Sequence, residues 1–347
     1  NSAFGRGALL DNTTGASNTA VGLLALENNT TASNNTAVGR SALAANTTGA
    51  SNVALGTSSL GSNTTASNNT AVGFSALSLN TTASGNVAVG YLAMQDSTTA
   101  ANATAVGYEA LANNTTSNGN HAFGFRALKT CTSGASNVAV GGSALDAVTT
   151  GSNNVAVGSS AGGAITTGIR NVCIGESAGD HSPPLTTGNY NVVIGAYAEP
   201  TTADAQFAIA IGYDVSGAGG YTTVGQQTND IRAAHGTATW ATVSDQRYKK
   251  DIVDSTTGLS FINALQPRTF KYKTLSELPE TFSAYEADST EVFKNSDTNH
   301  GFIAQEIKAA IDADSSIADG FRLWDDRDDG SQEVAEAALI PVLTKAI

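Results

Sequence analysis

Apolar and polar positions repeat every 17 residues over residues 1–212. Each unit carries Asn-x-Ala-Val-Gly, then an Ala-Leu pair at the third and fourth positions after the glycine, then Asn-Thr-Thr. The closing glycines are evenly spaced from Gly5 to Gly175. A three-residue insertion then delays Gly195, and Gly212 follows 17 residues later. Thirteen copies of one unit indicate a repeat architecture.

Each part of the unit predicts a piece of local structure. The short alternating run predicts a strand, the glycine ends that strand because it tolerates a positive φ, and Asn-Thr-Thr is typical of a turn. The Ala-Leu pair, as in Ala25-Leu26, adds one large apolar side chain per unit. A single unit cannot bury this apolar face, whereas stacked units can.

We therefore predict a mainly β fold for residues 1–212: a fibre built as a 17-residue-repeat β-solenoid or β-roll, with Asn or Thr stacked in hydrogen-bonded ladders. A solenoid of helix pairs is rejected, because a glycine and a turn in every unit leave no room for two helices. The expected core of each coil is one Val, one Leu and two Ala, which is thin for a single-chain rod. A parallel homotrimer around one axis would add buried apolar surface to each coil, and it is the natural closed symmetry.

The density of charge changes after residue 243. Residues 1–243 contain 11 acidic and 6 basic side chains, whereas the shorter segment 244–347 contains 19 and 11. Only the second segment has the charge density of an ordinary globular domain. We predict three parts: a repeat fibre over 1–212, a strand-rich neck or tip over 213–243, and a separate module over 244–347.

Composition also limits the partners. The net charge is −13 and both segments are acidic, so we expect no nucleic-acid partner. No run of 18 apolar residues predicts a membrane-spanning helix, and no signal peptide is visible. The sequence starts at Asn1 in mid-repeat, so we expect a fragment of a longer protein. Cys131 and Cys173 occupy different repeat positions, which predicts buried, unpaired thiols.

The module contains mixed secondary-structure signals. We predict a helix over 258–265, a strand over 269–273, a polar loop over 274–298 and a second helix from Gly301. A strand over 321–324, an acidic turn over 325–330 and a helix from Glu333 to the end follow. The acidic turn does not predict a calcium site, because Arg327 stands at the third loop position and the twelfth-position Glu is missing. No metal and no cofactor are expected.

Four motifs in this module carry a resemblance. Ser-Asp-x-Arg-x-Lys-Lys-Asp-Ile begins at Ser244, and Gly-Leu-x-Phe-Ile-x-x-Leu-x-Pro-x-x-Phe-x-Tyr begins at Gly258. His-x-Phe-Ile-Ala-Gln-Glu begins at His300, and Leu-Ile-Pro-Val-Leu-x-Lys-Ala-Ile begins at Leu339. Together, over 244–347, they resemble the endosialidase-type intramolecular chaperone domain of phage tailspikes and fibres. The 17-residue units resemble the repeats of phage tail fibres and trimeric bacterial adhesins.

The resemblance implies a small α+β module that assembles as a homotrimer and ends in a helix. Such a module assists fibre folding and then releases itself by cutting the chain just before the motif serine. The cut would lie between Val243 and Ser244, with Ser244 as nucleophile and Lys249 as its base. The supporting residues carried over from the motifs are Asp245, Arg247, Lys250 and His300.

The chemistry sets two conditions on this pair. A separation of five residues places Ser244 and Lys249 on different faces of a helix and on opposite faces of a strand, so they would meet only across a turn or between chains. Lys249 must also be neutral to accept the serine proton. Arg247 and Lys250 are candidates for lowering its pKa.

The predicted function is a trimeric fibre for attachment to a host surface, located in a virion tail or on a cell surface. Its partners would be two further copies of itself and a host receptor, expected to be a glycan. Trp240 would be a glycan contact or an aromatic plug closing the rod. The only enzymatic activity expected of the protein is cleavage of its own chain.

Two alternatives stay open. One is a bacterial trimeric surface adhesin that uses the same maturation module. The other is a glycan-degrading tailspike, against which stands the absence of an evident pair of carboxylates in the repeat.

Overall fold

The computed structural model describes residues 1–227, 229–236, 257–282, 284–314, 317, 323–326, 332–334 and 339–346. The chain divides into two compact units, Asn1–Ser244 and Asp245–Ile347. Each unit is described by itself below.

The first unit is built from one short strand per repeat. Its strands are β1 (Ser2–Phe4), β2 (Thr19–Val21), β3 (Thr36–Val38), β4 (Val53–Leu55), β5 (Thr70–Val72), β6 (Val87–Val89), β7 (Thr104–Val106), β8 (His121–Phe123), β9 (Val138–Val140), β10 (Val155–Val157), β11 (Val172–Ile174), β12 (Val192–Ile194), β13 (Glu199–Pro200), β14 (Ile209–Tyr213), β15 (Ser216–Gly217), β16 (Tyr221–Gln226) and β17 (Asn229–Ala234).

All of these strands except β13 and β15 form one 15-stranded sheet. Up to β16 the strands are parallel, and each residue pairs with its equivalent in the next coil, as Ala20 does with Ala37. The predicted β-solenoid with a 17-residue repeat is therefore confirmed. The sheet continues past residue 212: Gly212 pairs in register with Gly225 of β16. The antiparallel β17 then follows as the last strand of the sheet.

Each coil strand turns only its middle residue inward. Ala20 is fully buried, whereas Val21 beside it is 37% exposed. The prediction that this valine fills the core is wrong. In a three-residue strand the first and third side chains share one side and the middle one takes the other. The narrow interior accommodates the single small Ala, so Val21 points outward together with the first residue of the strand. The predicted apolar plug is confirmed, because Leu26 and Leu43 are fully buried in successive coils.

Two columns of buried asparagines run along the interior. In one, Asn18 Oδ1 accepts a hydrogen bond at 2.9 Å from the backbone N–H of Asn35, whose side-chain Nδ2 donates to the Gly49 carbonyl at 2.9 Å. In the other, Asn46 Nδ2 donates to Asn29 Oδ1, again at 2.9 Å. These contacts confirm the predicted ladders. They also explain how polar amides can be buried inside the coils, since buried polar groups are stable only when hydrogen-bonded.

The composition of the core changes along the rod, and the consensus sequence of the repeat does not show this change. The second asparagine column becomes apolar after Asn114; its later members, all fully buried, are Cys131, Val148, Ile165 and Leu185. In the last two of these coils the leucine column also changes, to Gly162 and Gly179, whereas the two earlier coils keep Leu128 and Leu145. A Cβ placed on Gly162 would lie 3.1 Å from the Ile165 side chain. The large apolar side chain has therefore moved from one column to the other, which keeps the interior filled.

The second unit contains three helices and two strand pairs in its described residues. They are α1 (Leu259–Ala264), β18 (Arg268–Phe270), a single 3₁₀ turn (Leu275–Glu277), β19 (Asn299–Gly301), α2 (Ala304–Ala313), β20 (Trp324–Asp326), β21 (Gln332–Val334) and α3 (Leu339–Ala346). β18 pairs with β19 and β20 pairs with β21, both antiparallel. The first predicted helix and the final one are present, although α3 starts later than expected.

Four boundaries in this unit were predicted wrongly. The strand expected over 269–273 covers Arg268–Phe270. The helix expected from Gly301 begins at Ala304, because 299–301 pair with β18. Asp325 and Asp326, expected in a turn, lie in β20, and Glu333, expected in a helix, lies in β21. Strand pairing outweighs the local preference of these acidic residues for turns and helices. Arg327, used to reject the calcium loop, lies outside the described residues.

Candidate functional site

Most of the predicted site residues, which include the cleavage site and the candidate glycan contact, lie outside the described residues. This holds for Trp240, Val243, Ser244, Asp245, Arg247, Lys249 and Lys250. The approach of Ser244 to Lys249 and the roles of their neighbours therefore stay predictions.

His300 is the one predicted site residue that the structure describes. It is the central residue of β19 and pairs with Thr269 of β18. Its side chain is exposed. The motif that begins at His300 thus starts on a strand and continues into α2, and its supporting role in cleavage stays a prediction.

The module core joins three of the four sequence motifs. Phe261 of α1, Ile307 of α2 and Leu339 of α3 are buried in one cluster, which also contains Leu323 and Val342. Phe261 belongs to the motif that begins at Gly258, and Leu339 and Val342 belong to the last motif. Ile307 directly follows the motif that begins at His300, and Phe302 of that motif packs against the cluster. The apolar positions of the three motifs therefore serve packing, and the helices they place form a common core for the module.

A paired hydrogen bond links two of these motifs at the surface. Arg268 Nε donates to Glu306 Oε2 at 2.9 Å, and its Nη2 donates to Glu306 Oε1 at 2.7 Å. Nη2 also donates to Gln266 Oε1 at 2.7 Å. The guanidinium lowers the pKa of the Glu306 carboxyl, and that carboxylate raises the pKa of Arg268. The fork ties β18 to the first turn of α2.

The polar segment after β18 is held by a capping box and by contacts between aromatic rings. Thr274 and Glu277 form a capping box at the start of the 3₁₀ turn, and the Glu277 carboxylate accepts the Thr274 backbone N–H at 2.9 Å. That hydrogen bond is the main cause of the lowered pKa of Glu277. Tyr272 contacts the rings of Phe270 and Phe293 edge to face. The predicted loop over 274–298 is thus anchored at its beginning and near its end.

The solenoid surface carries a separate stack of aromatic rings. Phe74, Tyr91, Tyr108 and Phe125 follow the closing glycine in four successive coils, with ring centroids 5.5, 5.1 and 5.4 Å apart. Their planes are nearly parallel, within 16°. Since neighbouring rings cover each other's faces, the stack offers mainly ring edges to solvent. Stacked rings of this kind stabilise the contact between successive coils.

Charged side chains on the rod form local pairs across coils. Glu109 accepts from Lys129 Nζ at 2.6 Å and from Arg126 Nε at 3.0 Å, and both contacts lower the pKa of the Glu109 carboxyl. His181 Nδ1 lies 3.2 Å from the buried Glu199 carboxylate. Within the described ranges, no three His, Cys, Asp or Glu side chains are grouped closely enough to hold a metal ion.

The two cysteines are buried and unpaired, as predicted. Burial raises the pKa of Cys131 to about 11 and that of Cys173 to about 12. Thiols in such surroundings are poor nucleophiles. Neither is therefore a candidate for the chemistry of chain cleavage.

In the described part of the chain, no helix has both the length and the apolar character needed to cross a membrane.

The chain thus combines a repeat solenoid with a second compact unit whose core is built largely from the sequence motifs. Residues 244–314 match the model of a peptidase family described as "Chaperone of endosialidase". This match confirms, for residues 244–314, the resemblance drawn from the first three motifs. The family implies trimeric assembly and self-cleavage, and it suggests a phage tail fibre. None of the curated proteins and none of the solved structures matches the chain.

The Arg268–Glu306 fork was missed by the sequence analysis. Both residues fall inside or beside recognised motifs, but 38 positions separate them along the chain. Only the pairing of β18 with β19, which leads directly into α2, brings them together. The motif beginning at Leu339 lies beyond the matched residues, although its helix completes the same core.

Proposed function

We propose that this protein is a trimeric fibre for attachment to a host surface, and that residues 244–347 form a small α+β chaperone that registers three chains. After the rod has folded, the module is released by cleavage between Val243 and Ser244. The observation that carries this proposal is a coincidence of two boundaries. The family match begins at residue 244, and the second compact unit begins at Asp245.

The solenoid explains why a registering module is needed. Successive coils present nearly the same Ala, Leu and Asn positions, and each pairs with the next at a shift of 17 residues. Three such rods would associate one coil out of step with little energetic penalty. A trimeric module at one end holds the chains level and raises their local concentration. Its removal would leave the completed rod trapped kinetically.

The cleavage we propose uses groups within the first motif. Lys249 accepts the hydroxyl proton of Ser244, and the serine Oγ attacks the carbonyl carbon of Val243. The peptide C–N bond breaks, the Ser244 nitrogen takes the proton, and an ester remains between Val243 and the serine oxygen. Water then hydrolyses the ester. Asp245 and Arg247 would hold the loop, Arg247 and Lys250 would lower the pKa of Lys249, and His300 would support the site.

Expression followed by denaturing electrophoresis tests the cleavage. We expect the wild-type chain of 35.0 kDa to give two bands that correspond to residues 1–243 and 244–347. Ser244→Ala and Lys249→Met should stay whole. Ser260→Ala, in the exposed first turn of α1, and Lys271→Met, an exposed lysine after β18, are matched controls that should cleave normally. Cleavage of Ser244→Ala at the same bond would show that the nucleophile is another group.

Attachment is tested separately from cleavage. The released rod, fluorescently labelled, should bind intact host cells, and enzymatic removal of surface glycans should abolish that binding. Trp240→Ala would weaken binding if this residue is a glycan contact and leave it unchanged if it closes the rod. Release of oligosaccharide from host polysaccharide by the purified rod would instead support the glycan-degrading alternative.

A further inference from the structure

The outward side of the solenoid sheet carries an unbroken row of apolar side chains. The third residue of each coil strand points away from the coil, and none of these residues is buried. We call them the outer apolar row: Phe4, Val21, Val38, Leu55, Val72, Val89, Val106, Phe123, Val140, Val157, Ile174, Ile194 and Ile211. Every coil contributes one member.

The residues beside this row are also uncharged. The first residue of each coil strand points to the same side, and these positions hold only Ser, Thr, Val, Ile and one His, at 121. Thirteen strands thus present 26 outward positions without Asp, Glu, Lys or Arg. The charged side chains of the repeats lie elsewhere in the coil, for example at Arg6, Asp11 and Glu27. Depletion of charge is the compositional signal of an interface core.

We propose that this sheet face is where the copies of the chain meet in the trimer, with the outer apolar row directed at the threefold axis. This inference rests on the trimer of the proposed function and adds which surface forms it. The trimer would not be held by the small residues of the repeat, because Ala20 and its equivalents are buried inside their own coil.

The size of the face fits an interface between subunits. A stable interface uses about 20–30 residues on each side, and the face offers 26 outward positions. Soluble monomers rarely expose a contiguous apolar patch much larger than several hundred Å². A row that extends from β1 to β14 is therefore expected to be buried against a partner surface of the same length.

The repeat period of this face indicates that the partner surface belongs to another copy of the same chain. Its pattern advances by one coil for every 17 residues, and a partner must advance at the same rate to stay in contact over 13 coils. A parallel copy of this chain meets that condition at every coil. Side chains close to a threefold axis meet their own equivalents in both neighbours, so charged groups there would repel one another, and the uncharged row avoids this.

Larger side chains in the row would also oppose a shift between chains. Phe123 interrupts a series of valines, with Val106 and Val140 in the coils on either side. In register, three phenylalanines share one level and the neighbouring levels pack around them. A slip of one coil would set Phe123 against valine and disturb the packing at both levels. The penalty is confined to a few levels, because most coils carry valine in the row, so the face assists the module in selecting the register and does not replace it.

A charge placed on the row tests this assignment in the full-length chain. Val106→Glu, at a position 36% exposed, would bring three carboxylates together near the axis. We expect its sedimentation mass to fall from trimer to monomer once the module has been released. Thr99→Glu, an exposed turn position just before the same strand, is the matched control and should remain trimeric. A Val106→Glu chain that stays trimeric with an unchanged melting temperature would overturn the assignment.

A crosslinking test guards against misfolding of the charged variant. Both native cysteines are buried, so an added surface cysteine is the accessible thiol in the folded rod. Val106→Cys should give crosslinked chains with a short bifunctional thiol reagent, whereas Thr99→Cys should not. Crosslinking at Thr99 but not at Val106 would place the interface elsewhere. A wild-type chain that sediments as a monomer both before and after cleavage would overturn the proposed trimer together with this face.

Discussion

Arg268 holds both carboxylate oxygens of Glu306, with Nε to Oε2 at 2.9 Å and Nη2 to Oε1 at 2.7 Å. The two side chains join the strand after α1 to the start of α2, and thereby connect two sequence motifs of the chaperone module without contributing to its apolar core. Because both are partly exposed, their attraction is screened by salt and contributes modestly to stability. Their main effect is on orientation, because two parallel hydrogen bonds fix the angle between the guanidinium and the carboxylate.

The fork predicts an acid-dependent loss of module stability. The guanidinium lowers the folded-state pKa of Glu306 below its ordinary value of 4.5. The stabilisation is therefore fully present above pH 4.5 and is lost as pH falls through the lowered folded value. Thermal unfolding of the full chain, followed from pH 6 to pH 3, should show this loss in the module transition.

Arg268→Gln is the informative comparison for this pH dependence. The variant should have a lower melting temperature for the module than the wild type at pH 6, and the difference should shrink toward pH 3 as Glu306 becomes protonated. Lys271→Gln removes a positive charge from a nearby exposed position and should not reproduce the effect. A difference that stays constant over the pH range would show that Arg268 acts through packing alone.

The cysteines give a second prediction that concerns the rod alone. Because burial raises the pKa of Cys131 to about 11 and that of Cys173 to about 12, almost no thiolate forms at pH 8. The folded chain should therefore resist alkylation at pH 8, whereas urea-unfolded chain should be modified at both residues within minutes. Mass spectrometry of chains sampled over time measures this. Rapid labelling of Cys173 without unfolding would contradict its burial in the coil.

The sequence predicts those features of the fold that depend on residues close together in the chain, and it does not predict those that depend on tertiary topology. The interval between Gly22 and Gly39 is sufficient to predict coils, strands and ladders, since each coil repeats the same local conditions. The direction of Val21 was predicted wrongly, because a three-residue strand flanked by a turn leaves its inward side undetermined. Pairings such as Arg268 with Glu306 depend on tertiary topology. The approach of Ser244 and Lys249 stays a prediction for the same reason, since spacing alone does not bring them together.

The closing glycines should be irreplaceable within the sheet. Gly22 has a φ of +134°, and a Cβ at this position would lie 2.6 Å from the Gly39 carbonyl oxygen in the next coil. Gly22→Ala should destabilise the rod by at least about 1–3 kcal/mol, which is the cost of a strained backbone conformation, and the clash adds to it. Gly142→Ala is the matched control, because nothing lies within 4 Å of a Cβ there and its φ is not in the positive range.

Urea unfolding of the two glycine variants, followed by circular dichroism, measures the difference. Gly142→Ala should match or slightly exceed the wild type, since Ala restricts the unfolded chain more than Gly does. Equal midpoints for the two variants would show that the coils can move apart to admit a methyl group at Gly22.

An interruption in the second asparagine ladder offers a way to stabilise the rod. Ser97 stands where neighbouring coils have Asn80 and Asn114, and it is fully buried. Its hydroxyl and the Asn80 Oδ1 atom are both buried without a hydrogen-bond partner. In the intact part of the ladder, Asn80 Nδ2 donates to Asn63 Oδ1 at 2.9 Å and to the Ala83 carbonyl at 3.0 Å. Ser97 is too short to make the equivalent pair of contacts.

Ser97→Asn should therefore raise the stability of the rod. The new amide would donate to Asn80 Oδ1 and to the Ala100 carbonyl, while its oxygen would face Asn114 Nδ2. Satisfying a buried group that lacks a partner is worth about 1–3 kcal/mol, so the urea midpoint should rise measurably. Ser97→Ala separates the two contributions: it removes the unpaired hydroxyl but leaves Asn80 Oδ1 without a donor, so it should gain less than Ser97→Asn. A lower midpoint for Ser97→Asn than for Ser97→Ala would mean that this coil is too tight for the longer side chain, and that the ladder ends at Asn80 for reasons of space.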